Sequence, residues 1–345
     1  MRGGKRINAG DAFERSEMGA SMLRKQSLDA IGAHQLFDAR KILHMSEGLN
    51  EETKIQFKKL QQSGPLRLIR SVPNDFAERC LALEARFPNF SDFINEILLP
   101  ALALSHLRKT GLQLQPTIFC GDPGVGKTMF AQELAIAFDL DFERSNLESA
   151  QASFELLGSS RGWSNAQPGM LFRWLTRSDS CNGIFVMEEL DKANAQDPRF
   201  SVTNALLQLL EPTTARAFAD QSIPELKLDI TKINFLFTAN TLEGIPDPLL
   251  SRLVVVDVPS LTPKQARSVA LRQYEDMLKE LRLPVDAPKL TDEGLTLLST
   301  ESPRRQRLLL QLAIGSAVFK KASELQIKST QKAQRGMGFT ATFGG

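Results

Sequence analysis

At 345 residues the chain exceeds what one hydrophobic core usually supports, and ~150 residues per domain divides it into roughly two. Hydrophobic residues at 42% and charged residues at 24% are ordinary globular usage, which excludes wholesale disorder. Lys plus Arg is 42 against 40 Asp plus Glu, and a net charge of +2 speaks against an obligate nucleic-acid binder or a polybasic membrane protein.

The N-terminal stretch MRGGKRINAGDAFERSE lacks the apolar centre of a signal peptide. The greasiest run, Ile97 to Leu104, contains Pro100 and falls short of the ~18 apolar residues a membrane span needs. Cys80, Cys120 and Cys181 are scattered, as are His34, His44 and His106, so no zinc site is readable and the thiols fit a reducing compartment. A soluble cytoplasmic protein is the expectation.

Residues 1–75 carry 13 Lys or Arg against 9 Asp or Glu, with weak helical periodicity around Leu36, Ile42 and Leu43. The segment reads either as a helical adaptor or as a partly disordered arm ordered by a partner. From Phe76 to His106 apolar residues recur at helical spacing, with breaks expected at Pro88-Asn89 and at Pro100. Then the pattern changes. Short apolar runs at 116–120, 140–142, 183–187, 233–238 and 253–256 alternate with helical stretches, notably 127–138 and 201–210. Continuous rather than alternating apolar strands point to a parallel sheet, and strand alternating with helix points to a doubly wound α/β domain over 76–259.

After Pro259 strands disappear. Thr262-Pro263 sets an N-cap before a first-turn proline, and a helix is expected to about Leu281. Leu290-Thr291 and Ser302-Pro303 open two further helices. A small all-helical domain over 260–330 follows, with 331–345 a loose tail.

The chemistry is concentrated in a few segments. Gly121, Asp122, Pro123, Gly124, Val125, Gly126, Lys127 and Thr128 fit G-x-x-x-x-G-K-[ST], placed between an expected strand and an expected helix. Glycines let the loop wrap closely, so its backbone N–H groups and the following helix N-terminus face the phosphates of ATP. Lys127 is expected to reach the β- and γ-phosphates, and Thr128 to ligate Mg²⁺ through its hydroxyl. Glu188 and Glu189 end the third expected strand, in Ile-Phe-Val-Met-Glu-Glu. The first such carboxylate would hold the Mg²⁺ hydration shell, and the second, Glu189, would act as general base toward the attacking water. Asp is usual at the first position; the extra methylene of Glu188 moves the carboxylate by ~1.5 Å and loosens metal geometry. Asn240 closes the fourth strand, where its amide is expected to orient the lytic water.

With these motifs in order, residues 80–325 resemble an AAA+ ATPase, and within that superfamily the ATPase module of Lon-type proteases. Glu188-Glu-Leu-Asp-Lys192 is similar to the Asp-Glu-Ile-Asp-Lys of that family, and 197–212 resembles the helix and turn that follow it. Thr238-Ala-Asn240 and Ile245 to Arg252 resemble the sensor-1 and arginine-finger segments. The resemblance implies that Arg252 projects into a neighbour's ATP site and stabilises transition-state charge in trans. It implies that Trp163, within 157–169, is the pore-loop aromatic that grips extended polypeptide, and that 211–225 matches a second pore loop. Arg304 matches the sensor-2 arginine, with Arg305 and Arg307 close enough that a shift in register would change the choice.

The family resemblance therefore implies a homo-oligomeric ring of six subunits that hydrolyses ATP with Mg²⁺ and remodels or threads a protein substrate. Residues 1–75 are available for a separate partner. The Ser-Lys peptidase domain of Lon proteases has no room in a chain of this length, so no proteolysis is carried over. Two rivals stand beside this reading. Glu188 in place of Asp fits an ATP-controlled assembly switch with weak hydrolysis. The basic N-terminal segment and a tail with five Lys or Arg against one Glu from Lys320 onward fit a DNA-acting AAA+ ATPase.

Overall fold

The computed structural model describes residues 32–42, 45, 48–147, 152–160, 162, 166–193, 202–283 and 287–328. These fall into two compact units. The first comprises the described residues up to Ala85, with Phe90–Gly121 and Lys127–Val258; the second takes Arg86–Asn89, Asp122–Gly126 and the described residues from Pro259 onward.

The first unit opens with β1 (Ala33–Gln35), paired antiparallel with β2 (Leu66–Leu68). Its main sheet holds β3 (Thr117–Cys120), β4 (Phe142–Asn146), β5 (Ile184–Glu188), β6 (Asn234–Ala239) and β7 (Val254–Asp257), in the order β4-β5-β6-β3-β7. Every neighbouring pair is parallel, as the continuous apolar runs require. β3 lies inside the sheet between β6 and β7, and the chain runs from it to the far edge at β4 before returning through β5 and β6. Parallel pairing brings the C-terminal ends of β3, β5 and β6 to one edge of the sheet, where ligands of open α/β folds bind.

The aromatic residues explain why β3 and the helix after it hold a fixed register. Phe90 stacks on Phe130 with ring centroids 4.0 Å apart, and Phe119 meets both edge-on at 5.3 and 5.6 Å. Phe93 closes the group, 5.0 Å from Phe119. Phe119 sits at the end of β3 and Phe130 in α4 (Lys127–Ala137), so the cluster clamps the two elements that flank the glycine-rich loop.

The helix expected to break at Pro100 does not. Ser91–Phe93, a π turn at Ile94–Leu98 and Leu99–Leu107 run on as one rod. A proline inside a helix lacks an N–H and clashes with the carbonyl four residues back; the wider π turn lies at that carbonyl and absorbs both defects.

The N-terminal segment also differs from the expected helical periodicity. Leu36 and Ile42 flank β1 and a short 3-10 turn, and the helix instead covers Glu51–Ser63 (α1), capped by Asn50 accepting from the Thr53 N–H at 2.9 Å. Leu36, Phe37, Ile42, Leu49, Phe57 and Leu60 are buried in the same core as Trp174, Leu206 and Phe235. Backbone bonds tie the segment down: the Asp229 N–H donates to Leu36 O at 2.7 Å and the Cys181 N–H to Leu68 O at 2.9 Å. Periodicity misreads it because its apolar residues meet partners far along the chain.

In the second unit, α5 (Pro263–Glu280), α6 (Asp292–Leu298) and α7 (Pro303–Lys320) pack around Ala270, Leu298, Leu310 and Ile314. Thr262 and Gln265 form a reciprocal capping box at the start of α5, with Pro263 between them. Gln306 is fully buried, and its Nε2 donates to Ala266 O and Leu298 O, both at 2.9 Å, knitting the three helices together. Among the described residues no helix is long and apolar enough to cross a membrane.

Candidate active site

Four expected site residues of the first unit meet at the C-terminal edge of the sheet. Lys127 is the first residue of α4 and is 9% exposed, so its ammonium needs compensation. Its Nζ donates to Gly121 O at 2.5 Å and to Asn240 Oδ1 at 3.1 Å. The Thr128 hydroxyl donates to Glu188 Oε1 at 2.5 Å. The same edge thus gathers an ammonium and a hydroxyl from the start of α4, a carboxylate from the end of β5 and an amide from just past β6.

Glu189 follows β5 in the left-handed region, at φ 60 and ψ 47. That conformation costs about 1–2 kcal/mol for a residue with a side chain, and such backbone strain concentrates at functional sites. It turns the chain into the 3-10 turn Leu190–Lys192, with Glu189 Oε1 3.0 Å from Lys192 Nζ and the Glu189 N–H donating to Thr238 Oγ1 at 3.3 Å. In the same turn Asp191 Oδ2 accepts the Asn240 N–H at 3.1 Å. The expected site did not include Asp191.

Glycine is required where the loop leaves β3: a Cβ on Gly121 would lie 2.3 Å from Val258 O. Gly126 has φ +104, a conformation that side chains rarely adopt. In the second unit, Asn89 Nδ2 donates to Val125 O at 3.1 Å and to Pro259 O at 3.2 Å, so one buried amide braces the loop. The Ser260 hydroxyl donates to Asp122 Oδ2 at 3.1 Å. The Phe87 ring stands 3.8 Å from where a Cβ of Gly126 would be. In the sequence Pro88-Asn89 reads only as a turn, and its asparagine is the one local signal of this role.

Of the three arginines at the start of α7, Arg304 has its Cβ 3.6 Å from where a Cβ of Gly124 would lie. Arg307 instead pairs with Glu280 at 3.1 Å. In the first unit, Arg252 donates to Pro248 O at 2.7 Å and lies 3.4 Å from Glu211 Oε2, with 37% of its side chain exposed.

Trp163 lies outside the described residues, but the stems of its loop do not. The Ser159 N–H donates to Gln167 O at 2.9 Å, and the Gln167 N–H donates to Ser159 Oγ at 2.6 Å. Beneath them Asp220 is 1% exposed; its Oδ2 accepts the Gly169 N–H at 2.8 Å and its Oδ1 accepts from Ser222 N and Oγ at 2.9 and 2.6 Å. Burial pushes its carboxyl up to about 6, with the Ser222 and Gly169 hydrogen bonds and the Arg173 charge opposing. Asp220 belongs to the 211–225 segment, so both loops of interest share one buried carboxylate.

Residues 117–259 match the model of the ATPase family associated with various cellular activities (AAA). The chain is 32% identical over 216 residues to a Lon protease of Heliobacterium modesticaldum, covering 62% of this chain and 26% of that protein. Lon protease 1 of Bdellovibrio bacteriovorus is 32% identical over 251 residues, 69% of this chain and 31% of the relative. The peroxisomal Lon protease homolog 2 of Zea mays is 31% identical over 186 residues, 52% and 21% respectively. The matched region thus spans between a fifth and a third of each of these relatives.

Proposed function

We propose, from the premise that this chain is an AAA+ ATPase whose 117–259 domain resembles the ATPase segment of Lon-type proteases, that it works as a ring-forming, ATP-driven remodeller of proteins. The observation that carries the reading is the convergence of Lys127, Thr128, Glu188 and Asn240 at the ends of three parallel strands.

The roles follow from position. The loop 121–128 and the α4 N-terminus offer N–H donors and a positive helix end to the phosphates of ATP, with Lys127 neutralising the β- and γ-groups. Thr128 and Glu188 present hard oxygen donors 2.5 Å apart, a pair suited to Mg²⁺ and its water shell. Thr128 and Glu188 would hold Mg²⁺, whose charge would supply Lewis-acid stabilisation to the phosphates. Glu189 takes the proton of the attacking water, and Asn240 orients that water from the end of β6. Arg304, beside Gly124, is the candidate that reads the bound phosphates.

The finer steps rest on the resemblance. Arg252, partly exposed, completes the ATP site of a neighbouring subunit in a ring of six. Trp163 grips the substrate polypeptide, and movement of its loop pulls on it. The three free thiols agree with a cytoplasmic location. Residues 1–75 are the segment proposed to meet a separate partner protein.

Glu188 favours one second reading, an ATP-controlled assembly switch with slow hydrolysis. A single experiment separates them: ATP turnover of the purified protein across protein concentrations, alone, with an unfolded polypeptide and with DNA. Turnover that rises faster than linearly with protein and is stimulated by the polypeptide is expected. Tight ATP binding without turnover would select the switch, and stimulation by DNA alone would select a DNA-acting ATPase.

A further inference from the structure

Resting on the ATPase reading above, we propose that Asp191 is a positioning residue for hydrolysis: it anchors the backbone of Asn240 so that the Asn240 amide oxygen faces the Lys127 ammonium.

The anchor answers a need created by the sheet. Asn240 stands one residue beyond β6, whose paired register with β5 ends at Met187 and Phe237. Past that point the Asn240 N–H has no ladder carbonyl opposite it on β5, and a backbone donor at a partly buried site requires an acceptor. Asp191 Oδ2 supplies it at 3.1 Å. The side chain of the same asparagine then accepts from Lys127 Nζ at 3.1 Å, and Lys127 Nζ donates to Gly121 O at 2.5 Å. One chain of hydrogen bonds therefore runs from the exit of β5, through the exit of β6, to the glycine-rich loop after β3.

Two further observations assign this to function rather than to packing. Asp191 Oδ1 is buried and has no hydrogen-bond partner among the described residues. A buried polar atom left without a partner is costly, so its retention beside a gathered set of polar side chains calls for a role. Asp191 also shares its 3-10 turn with Glu189, whose left-handed backbone starts that turn. Any shift of the turn would thus move the general base and the Asn240 anchor together. The charges lie close: burial chiefly raises the Cys120 thiol pKa, followed by Asp257, while Lys127 lowers it and Asp191 raises it.

The test compares the unmutated protein with Asp191→Asn, Asp191→Ala, Asn240→Ala and the Asp191→Ala/Asn240→Ala double variant, reading kcat, ATP affinity and amide exchange at Asn240. Asp191→Ala is expected to lower kcat about 10- to 100-fold with ATP affinity within about threefold, because misplacement by an ångström is felt mainly in turnover. Asp191→Asn, which keeps an acceptor oxygen, recovers most of that loss. The double variant should be no slower than Asn240→Ala, and Asn240 exchange should quicken in Asp191→Ala. Unchanged kcat, losses that multiply in the double variant, or unaltered exchange would each overturn the proposal. If the unmutated protein hydrolyses no ATP, the ATPase reading falls instead; the Asn240 exchange rate still decides whether Asp191 is its anchor.

Discussion

The Thr128 hydroxyl donates to Glu188 Oε1 at 2.5 Å, joining the first turn of α4 to the last residue of β5. The metal role proposed for this pair predicts that Glu188→Gln raises the Mg²⁺ concentration for half-maximal turnover and lowers the maximum at least about 10-fold. Glu188→Asp, which draws the carboxylate back by ~1.5 Å, tests the fit from the other side. It should tighten Mg²⁺ dependence if Glu is the looser ligand. A Mg²⁺ titration with no change in either variant would remove Glu188 from the metal site.

Glu189, one residue on, should behave differently. As general base its replacement in Glu189→Gln is expected to slow turnover about 10²- to 10⁴-fold while ATP binding persists. Rapid-quench kinetics beside a binding titration distinguish this from the Mg²⁺ phenotype of Glu188→Gln.

Arg252→Ala should spare ATP binding and reduce turnover on the order of 10³-fold, the scale of an arginine finger. A finger acting in trans makes a sharper claim. Mixing Arg252→Ala with Lys127→Ala protein should restore part of the turnover, because each supplies what its neighbour lacks. Mixtures that stay inactive while still assembling would contradict the trans role. The contact with Glu211 at 3.4 Å is a half-exposed ion pair and contributes little to stability.

Asp220 gives a pH prediction. Its carboxyl titrates at about 6 in the folded chain against 3.8 for an ordinary aspartate. Between those values the folded state holds a proton that the unfolded chain has released. Its contribution is therefore complete below about 4 and is lost as pH rises through about 6, by about 3 kcal/mol in all. Denaturant unfolding at pH 4.5 and 7 should show the unmutated protein losing stability relative to Asp220→Asn across that window. A constant difference between the two proteins would refute the raised titration.

Phe130→Ala removes a ring that stacks on Phe90 at 4.0 Å inside a fully buried cluster. A loss of about 3–5 kcal/mol in unfolding free energy is expected, with a lowered melting temperature by calorimetry. ATP affinity should fall as well, because the same cluster holds β3 and α4 at the two ends of the glycine-rich loop.

The parallel α/β domain, the helices after it and the motifs of the candidate site can be read from local pattern alone. The glycine-rich loop, the Glu188-Glu189 pair and the cap at Thr262 are legible because each obeys a local rule within about four to eight neighbouring residues. Folding alone establishes that residues 33–68 contribute Leu36, Phe57 and Leu60 to the main core, that Asn89 braces Val125, and that Asp220 ties Gly169 to the 211–225 segment. The same holds for the bond from the Asn240 N–H to Asp191, across 49 residues of sequence. Those contacts depend on which chain segments the folded sheet and core bring side by side, and neither residue of such a pair carries a mark of its partner in its own neighbourhood.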